Sequence, residues 1–225
     1  MAKAKTPTPI GQRIPTLGGL GNATITAERL ETAWLRELAA SNGTSKQALW
    51  GLARLYGETG RRDDALACVE RLARLSTRPD EVASCHLAQG QLSEQAYDYK
   101  SAVRHYRAGL ALGQQQAPTW YWIHNNLGYS LVQLGQYHEA AAYLHVAVAV
   151  DPTRPNAFKN LGLAMLGINE NVRAAEWFVI ANRANPGDRR SLMHLERLVA
   201  SHPELTAQIP TLQGELDACR RGLAS

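Results

Sequence analysis

Two copies of one pattern decide the fold of this chain: HNNLGYSLVQLGQYHEAAAYLHVAVAVDP at residues 124–152 and FKNLGLAMLGINENVRAAEWFVIANRANP at residues 158–186. A shift of 34 residues superimposes one copy on the other. The matched positions are Asn126 and Asn160, Leu127 and Leu161, Gly128 and Gly162, Ala140 and Ala174, Ala147 and Ala181, and Pro152 and Pro186. A fixed period of this length is typical of stacked helical repeats and not of an enzyme core.

Each copy predicts two antiparallel helices joined by a short turn, because its apolar residues recur at helical spacing. Gly128 and Gly162 are expected where the two helices of a copy cross, since a Cβ there would collide with the partner helix. Pro152 and Pro186 end the second helix of each copy. One copy cannot bury its apolar face alone, so neighbouring copies must stack.

Two further copies lie earlier in the chain. Residues 48–75 read ALWGLARLYGETGRRDDALACVERLARL, and residues 85–112 read CHLAQGQLSEQAYDYKSAVRHYRAGLAL. In the second of these, Gly90 and Ala102 fit the pattern, but Gln89 stands where leucine is expected. The register over residues 80–113 is therefore left open.

The ends of the chain depart from the repeat. Residues 1–24 are rich in proline, glycine and small polar residues, which predicts a disordered arm. Residues 25–43 predict an N-terminal capping helix, and residues 44–202 predict an array of about four repeats plus an extra helix. Residues 203–225 predict a C-terminal capping helix, because terminal repeats of an array are usually modified.

This period, with its Leu-Gly, Ala and Pro positions, resembles the tetratricopeptide repeat family in its bacterial form. The resemblance implies an all-α fold, a right-handed superhelical α-solenoid of helix pairs with a concave groove lined by first helices. It implies a protein–protein interaction scaffold that binds a partner peptide or helix in that groove. A dedicated chaperone or assembly factor for a secretion or envelope complex is the alternative.

The resemblance also assigns the inner surface of the groove to fixed positions in each first helix. In this chain those positions hold Trp122, Asn125, Asn126, Tyr129, Asn156, Lys159, Asn160, Leu163, Arg190, His194 and Arg197. The recurring asparagines are predicted to pair with a partner backbone, because an amide side chain both donates and accepts. The alternative is that they are simply solvated.

The remaining side chains of this set predict two further kinds of contact. Trp122 and Tyr129 are predicted apolar anchors, although they could instead pack between repeats. Lys159, Arg190 and Arg197 suit acidic groups on a partner, although a solvated basic face is the alternative.

Chaperone-binding members of the family grip a terminal carboxylate with lysine, asparagine and basic residues on three successive first helices. Asn160 and Arg190 match that arrangement. Asn125 and Tyr129 stand where lysine and asparagine are needed, and His194 replaces a longer cation. The comparison argues against a clamp for a chaperone tail.

Composition excludes several other classes of function. The net charge of +4 comes from basic residues interspersed with acids, so no nucleic-acid partner is predicted. No metalloprotease, nucleotide-binding or hydrolase motif occurs, and the three cysteines are widely spaced. We therefore expect no enzyme activity, no metal and no cofactor.

Hydropathy predicts where the protein works. No apolar run approaches the length of a spanning helix, and the N-terminus lacks the apolar core of a secretory signal. A cytoplasmic protein with no membrane insertion is expected. Self-association is possible, because the ends of a repeat array expose apolar helix faces.

Overall fold

The computed structural model describes residues 26–224, and every regular element in this range is a helix. The prediction of an all-α fold is confirmed over these residues. The chain divides into two compact units, unit 1 ending at Thr119 and unit 2 beginning at Trp120. The predicted disordered arm, residues 1–24, lies outside the described residues, and the predicted domain boundaries stay predictions.

Unit 1 holds the capping helix and the two earlier copies. Its helices are α1 (Ala27–Ala40), α2 (Lys46–Glu58), α3 (Arg62–Leu75), α4 (Pro79–Gln95) and α5 (Tyr99–Leu110). Thr26 caps α1 by accepting a hydrogen bond from the backbone N–H of Arg29 at 3.4 Å. A Cβ at Gly90 would lie 2.2 Å from Cε1 of Tyr106, so α4 and α5 cross as closely as the pattern requires.

Unit 2 holds the two clean copies and the C-terminal end. Its helices are α6 (Ala117–Gln133, of which the first turn precedes the boundary), α7 (Tyr137–Val150), α8 (Pro155–Gly167), α9 (Asn171–Ala184), α10 (Arg189–Ser201), α11 (Leu205–Gln208) and α12 (Leu212–Ala224). The pairs are α6 with α7 and α8 with α9, and α10 is the first helix of a further copy. Within residues 26–224, no helix has the length and apolarity needed to cross a bilayer.

Glycine sets the distance between the helices of each pair in unit 2. A Cβ at Gly128 would lie 2.4 Å from Cγ of Leu144 and 3.2 Å from the backbone oxygen of Ala140. At Gly162 it would lie 2.5 Å from Cε1 of Phe178. The predicted role of these two glycines is confirmed, because neither site has room for a side chain.

Successive pairs in unit 2 are joined by buried apolar residues. Tyr121 packs with Ala147 and Ala157, which links α6, α7 and α8. Further along, one cluster contains Phe178 of α9, Leu195 of α10, and Leu212, Leu216 and Cys219 of α12. The C-terminal helix therefore covers an apolar face that an unfinished repeat would leave exposed.

Candidate functional site

A pocket of about 540 Å³ opens between α6, α8 and α10. Its lining comprises Trp122, Asn125, Asn126, Tyr129 and Gln133 of α6, Asn156, Lys159, Asn160 and Leu163 of α8, and Arg190 and His194 of α10. The structure thus brings all the predicted site residues except Arg197 to one place. Their role in binding stays a prediction.

Two residues mark the difference between the predicted site and the observed pocket. Arg197 is exposed on α10, one turn beyond His194, and does not line the pocket. Gln133 lines it but was not predicted. Since Gln133 follows Tyr129 by one helical turn, extending the helical period along α6 would have identified it.

The floor of the pocket is a chain of three asparagine side chains. Nδ2 of Asn160 donates to Oδ1 of Asn125 at 3.1 Å, and Nδ2 of Asn125 donates to Oδ1 of Asn126 at 2.9 Å. Asn125, Asn126 and Asn160 are only 4%, 8% and 4% exposed. The interpretation of Asn126 and Asn160 as solvated side chains is therefore wrong, because both belong to a buried network that joins α6 to α8.

The side of the pocket towards α10 is cationic. Arg190 forms a bidentate ion pair with Asp188, in which Nε donates to Oδ1 at 2.8 Å and Nη2 donates to Oδ2 at 2.9 Å. Lys159 is half-buried, and no described carboxylate forms an ion pair with it. Burial, and then the nearby Arg190 charge, lower the pKa of Lys159, whereas Asp188 raises it.

His194 closes the same side of the pocket. Its ring stacks on that of Phe178, with centroids 5.4 Å apart and planes 19° apart. Burial is the main cause that lowers the pKa of His194, and the charges of Lys159, Arg197 and Arg190 lower it further. The neutral imidazole is therefore favoured beside the cations.

Trp122 forms the opposite, apolar edge. Its ring meets that of Tyr121 edge-on with centroids 5.1 Å apart, and the Arg154 guanidinium lies 5.1 Å from the Trp122 ring centroid. Its indole nitrogen is buried and has no hydrogen-bond partner among the described residues. Trp122 thus both packs between repeats and lines the pocket. Its role as an apolar anchor for a partner stays a prediction.

The sequence also matches a family profile. The profile described as "Tetratricopeptide repeat" matches residues 51–117 and 125–189, which is more than half of the chain. The chain belongs to the tetratricopeptide repeat family. Its all-α solenoid of helix pairs is the architecture of that family.

Relatives of known structure share this tetratricopeptide fold at low identity. MamA, residues 41 to the end, from Desulfovibrio magneticus RS-1 is 20% identical with a TM-score of 0.62, covering 80% of this chain and 97% of that one. YrrB is 18% identical with a TM-score of 0.61, covering 85% of this chain and 94% of that one. These likenesses show the fold alone.

A curated relative is much longer than this chain. Superkiller complex protein 3 of Mus musculus is 26% identical over 152 residues, which are 66% of this chain. The match spans about 9% of the length of that protein. The likeness therefore concerns a short stretch of repeats within a far larger molecule.

One buried titratable residue occupies a position of the tetratricopeptide repeat that is apolar in the next copy. His124 lies on α6, buried, where the next repeat has Phe158. Its Nδ1 lies 2.9 Å from the carbonyl oxygen of Trp120, so this nitrogen carries the proton and donates. Burial lowers the pKa of His124, and the hydrogen bond to Trp120 opposes burial only in part.

We expect acid to destabilise unit 2 through His124. Its pKa is lower in the folded chain than the value of about 6.5 in an unfolded chain. As the pH falls through that value, the unfolded chain therefore binds more protons at His124 than the folded chain does. The stability present at neutral pH is lost as the pH decreases further. His124→Phe should reduce this loss, measured by urea denaturation at about pH 7.5 and about pH 5.5.

His138→Gln, at an exposed position on α7, is the control and should follow the wild type at both pH values. His105, His145 and His194, whose pKa values burial also lowers, should leave some acid sensitivity in His124→Phe. Equal losses of stability in His124→Phe and the wild type would show that His124 does not couple folding to pH.

Proposed function

We propose that this chain is a protein-interaction scaffold whose unit 2 pocket binds a segment of a partner protein. The observation that carries the proposal is the lining of that pocket, in which amide, aromatic, aliphatic and cationic side chains from three successive first helices converge. Sites for specific recognition combine apolar surface with a few placed polar groups. A tetratricopeptide scaffold generally serves binding and not catalysis, so no reaction is proposed.

Each kind of side chain would make a different contact with the partner. Tyr129 and Leu163, both half-buried, would supply apolar surface, together with the accessible part of Trp122. Lys159 would meet an acidic group, and Arg190, which Asp188 holds, would line the pocket beside it. The exposed Arg197 would act outside the pocket, on the flank of the bound segment.

The asparagines would act mainly through the shape and polarity of the floor. Asn126 and Asn160 are bonded through Asn125 and are mostly buried, so only a small part of each amide can reach a partner backbone. Their bonds hold α6 and α8 in register. A preformed floor would reduce the entropy lost when a segment binds.

A structural relative supports the proposal by analogy. The structure of YrrB is described as that of a tetratricopeptide protein with an unusual peptide-binding site. This chain shares its fold, and a peptide is the kind of ligand that a pocket lined by three successive first helices can accept. That the bound segment is an extended peptide or a helix stays a prediction.

Other expectations stay predictions as well. A dedicated chaperone or assembly factor would be recognised by stoichiometric co-purification with one unstable client. The cytoplasmic location and the expectation that no nucleic acid is bound can be tested in the same purification, by cell fractionation and by the ratio of absorbance at 260 and 280 nm.

Substitution of Leu163 by arginine tests the proposal. Replacing the buried asparagines would disturb the fold, whereas Leu163 is half-buried at the pocket. We expect affinity purification with quantitative mass spectrometry to recover partners with the wild type and to lose them with Leu163→Arg, because the new charge obstructs the apolar contact. Circular dichroism would establish that the variant is folded.

Ile180→Arg provides the matched control. Ile180 is 37% exposed on α9 and does not line the pocket. The same change of residue there should leave partner recovery unchanged. Equal recovery with wild type, Ile180→Arg and a folded Leu163→Arg would remove the pocket from the function.

A further inference from the structure

The charges around the unit 2 pocket are unbalanced. α6 carries no Lys, Arg, Asp or Glu, α8 contributes Lys159, and α10 contributes Arg190 to the lining. Outside the lining, α10 also carries Arg189, Arg197 and Glu196, and Glu196 is paired with Arg220. None of the lining residues is acidic. Asp188, in the turn before α10, is the nearby carboxylate that acts on the Lys159 charge.

Asp188 is engaged by Arg190 and by the start of α10. Both of its carboxylate oxygens bond the Arg190 guanidinium, and Oδ1 also accepts from the Arg190 backbone N–H at 3.1 Å. These bonds hold the Arg190 side chain in place. They leave the Lys159 ammonium half-buried and without an ion pair among residues 26–224.

A half-buried ammonium without a counterion is unfavourable, and an anion arriving with a ligand would remove that penalty. The kind of anion follows from which cation of the pocket is not already paired. A phosphate prefers an arginine fork and carries up to two charges, but the Arg190 fork already holds Asp188. One free ammonium matches one carboxylate.

We propose that the partner segment places a glutamate or aspartate side chain against Lys159, and that Asp188 is an internal counterion which limits the affinity by occupying Arg190. This proposal rests on the proposed function of the pocket and names the chemistry of its partner. The partner is an acidic protein segment with apolar neighbours, because Leu163 and Tyr129 line the same pocket as Lys159.

Peptides of defined chemistry test the proposal. The probes are fluorescein-labelled hexapeptides that are blocked at both ends. In one library, every position holds Leu, Tyr or Glu. A matched library has the same sequences with Gln in place of Glu. Binding is measured by fluorescence anisotropy at low and high salt. We expect Glu peptides to bind roughly tenfold more tightly than their Gln counterparts, and salt to reduce this preference.

Lys159→Met should abolish the preference for Glu, and Lys100→Met should retain it. Lys100 is exposed on α5 in unit 1, so it matches the change in net charge away from the pocket. Retention of the preference by Lys159→Met would overturn the assignment of Lys159. Equal binding of the Glu and Gln libraries, or no binding at about 1 mM peptide, would overturn the proposal as a whole.

Asp188→Asn should bind Glu peptides roughly tenfold more tightly than the wild type, because Arg190 becomes free to join Lys159. Asparagine still caps a helix, so α10 is retained. Asp188→Ser is a second variant that also keeps a cap, and Asp63→Asn, exposed on α3, is the control. Unchanged or weaker binding in both Asp188 variants would overturn the role of Asp188 as a limiting counterion.

Two more probes identify the source of the anion. A phosphoserine peptide that binds more tightly than the Glu peptide would overturn the choice of a carboxylate. A peptide with a free C-terminus that binds more tightly than its amidated form would overturn the choice of a side chain. If Leu163→Arg loses cellular partners while no Glu preference is found, the proposed function stands and this inference fails.

Discussion

Replacing Gly128 by valine is expected to reduce the free energy of unfolding by about 3 kcal/mol, because overpacking a close helix crossing forces side chains and backbone apart. The added Cβ would lie 2.4 Å from Cγ of Leu144 and 3.2 Å from the carbonyl oxygen of Ala140. Leu144 is itself fully buried, so it cannot turn outward to solvent without losing its packing. The backbone of α7 must therefore move away from α6.

Urea denaturation of the full chain measures this effect, and Gly214→Ala is the matched control. Gly214 also lies within a helix, α12, but a Cβ there would meet no atom within 4 Å. The control should therefore gain up to about 1 kcal/mol, because alanine favours helix over glycine. A Gly128→Val protein as stable as the wild type would show that the two helices can separate at little cost.

Replacing Asn125 by alanine is expected to reduce the free energy of unfolding by about 2 kcal/mol, because two buried polar partners each lose a hydrogen bond. Oδ1 of Asn126 would lose its donor, and Nδ2 of Asn160 would lose its acceptor. Water entering from the pocket would replace part of these bonds, which keeps the cost below that of a sealed core. Asn156→Ala, at a half-buried pocket position, should change stability by less than about 0.5 kcal/mol.

A double-mutant cycle isolates the contribution of the network. If Asn125 and Asn160 are coupled, the double alanine variant should lose less stability than the sum of the two single variants, since the second change removes a group that has already lost its partner. Strict additivity in urea denaturation would contradict the network. The same variants should weaken partner recovery, because the floor of the pocket would no longer be preformed.

The register of the helices was predictable because it depends on local spacing. Pro155 begins α8, the turns end each first helix, and the Leu-Gly pairs mark the crossings, so residues near in sequence carry the whole signal. The identity of most pocket residues followed for the same reason. Once the family positions are known, a helix of fixed period determines which side chains share a face.

The state of those side chains was not predictable from spacing. Asn126 and Asn160 were expected to face a partner as equals, but Asn125 lies between them and bonds both. Arg190 was expected to be free for an acidic ligand, but Asp188 holds it. In both cases, the distance and orientation of neighbouring side chains determine which hydrogen bond or ion pair forms. A repeat period does not encode either of these.

The sequence by itself determined the helix pairs, the glycine crossings and the set of positions that face one side of three first helices, since these follow from repeat length and residue size. Only the tertiary structure decided which polar groups of that face are already satisfied by one another. Hydrogen bonds and ion pairs depend on differences of less than an ångström between side chains on separate helices. That is why the structure, and not the pattern, shows that in this pocket Arg190 is already paired with Asp188, whereas the Lys159 ammonium has no ion-pair partner among the described residues.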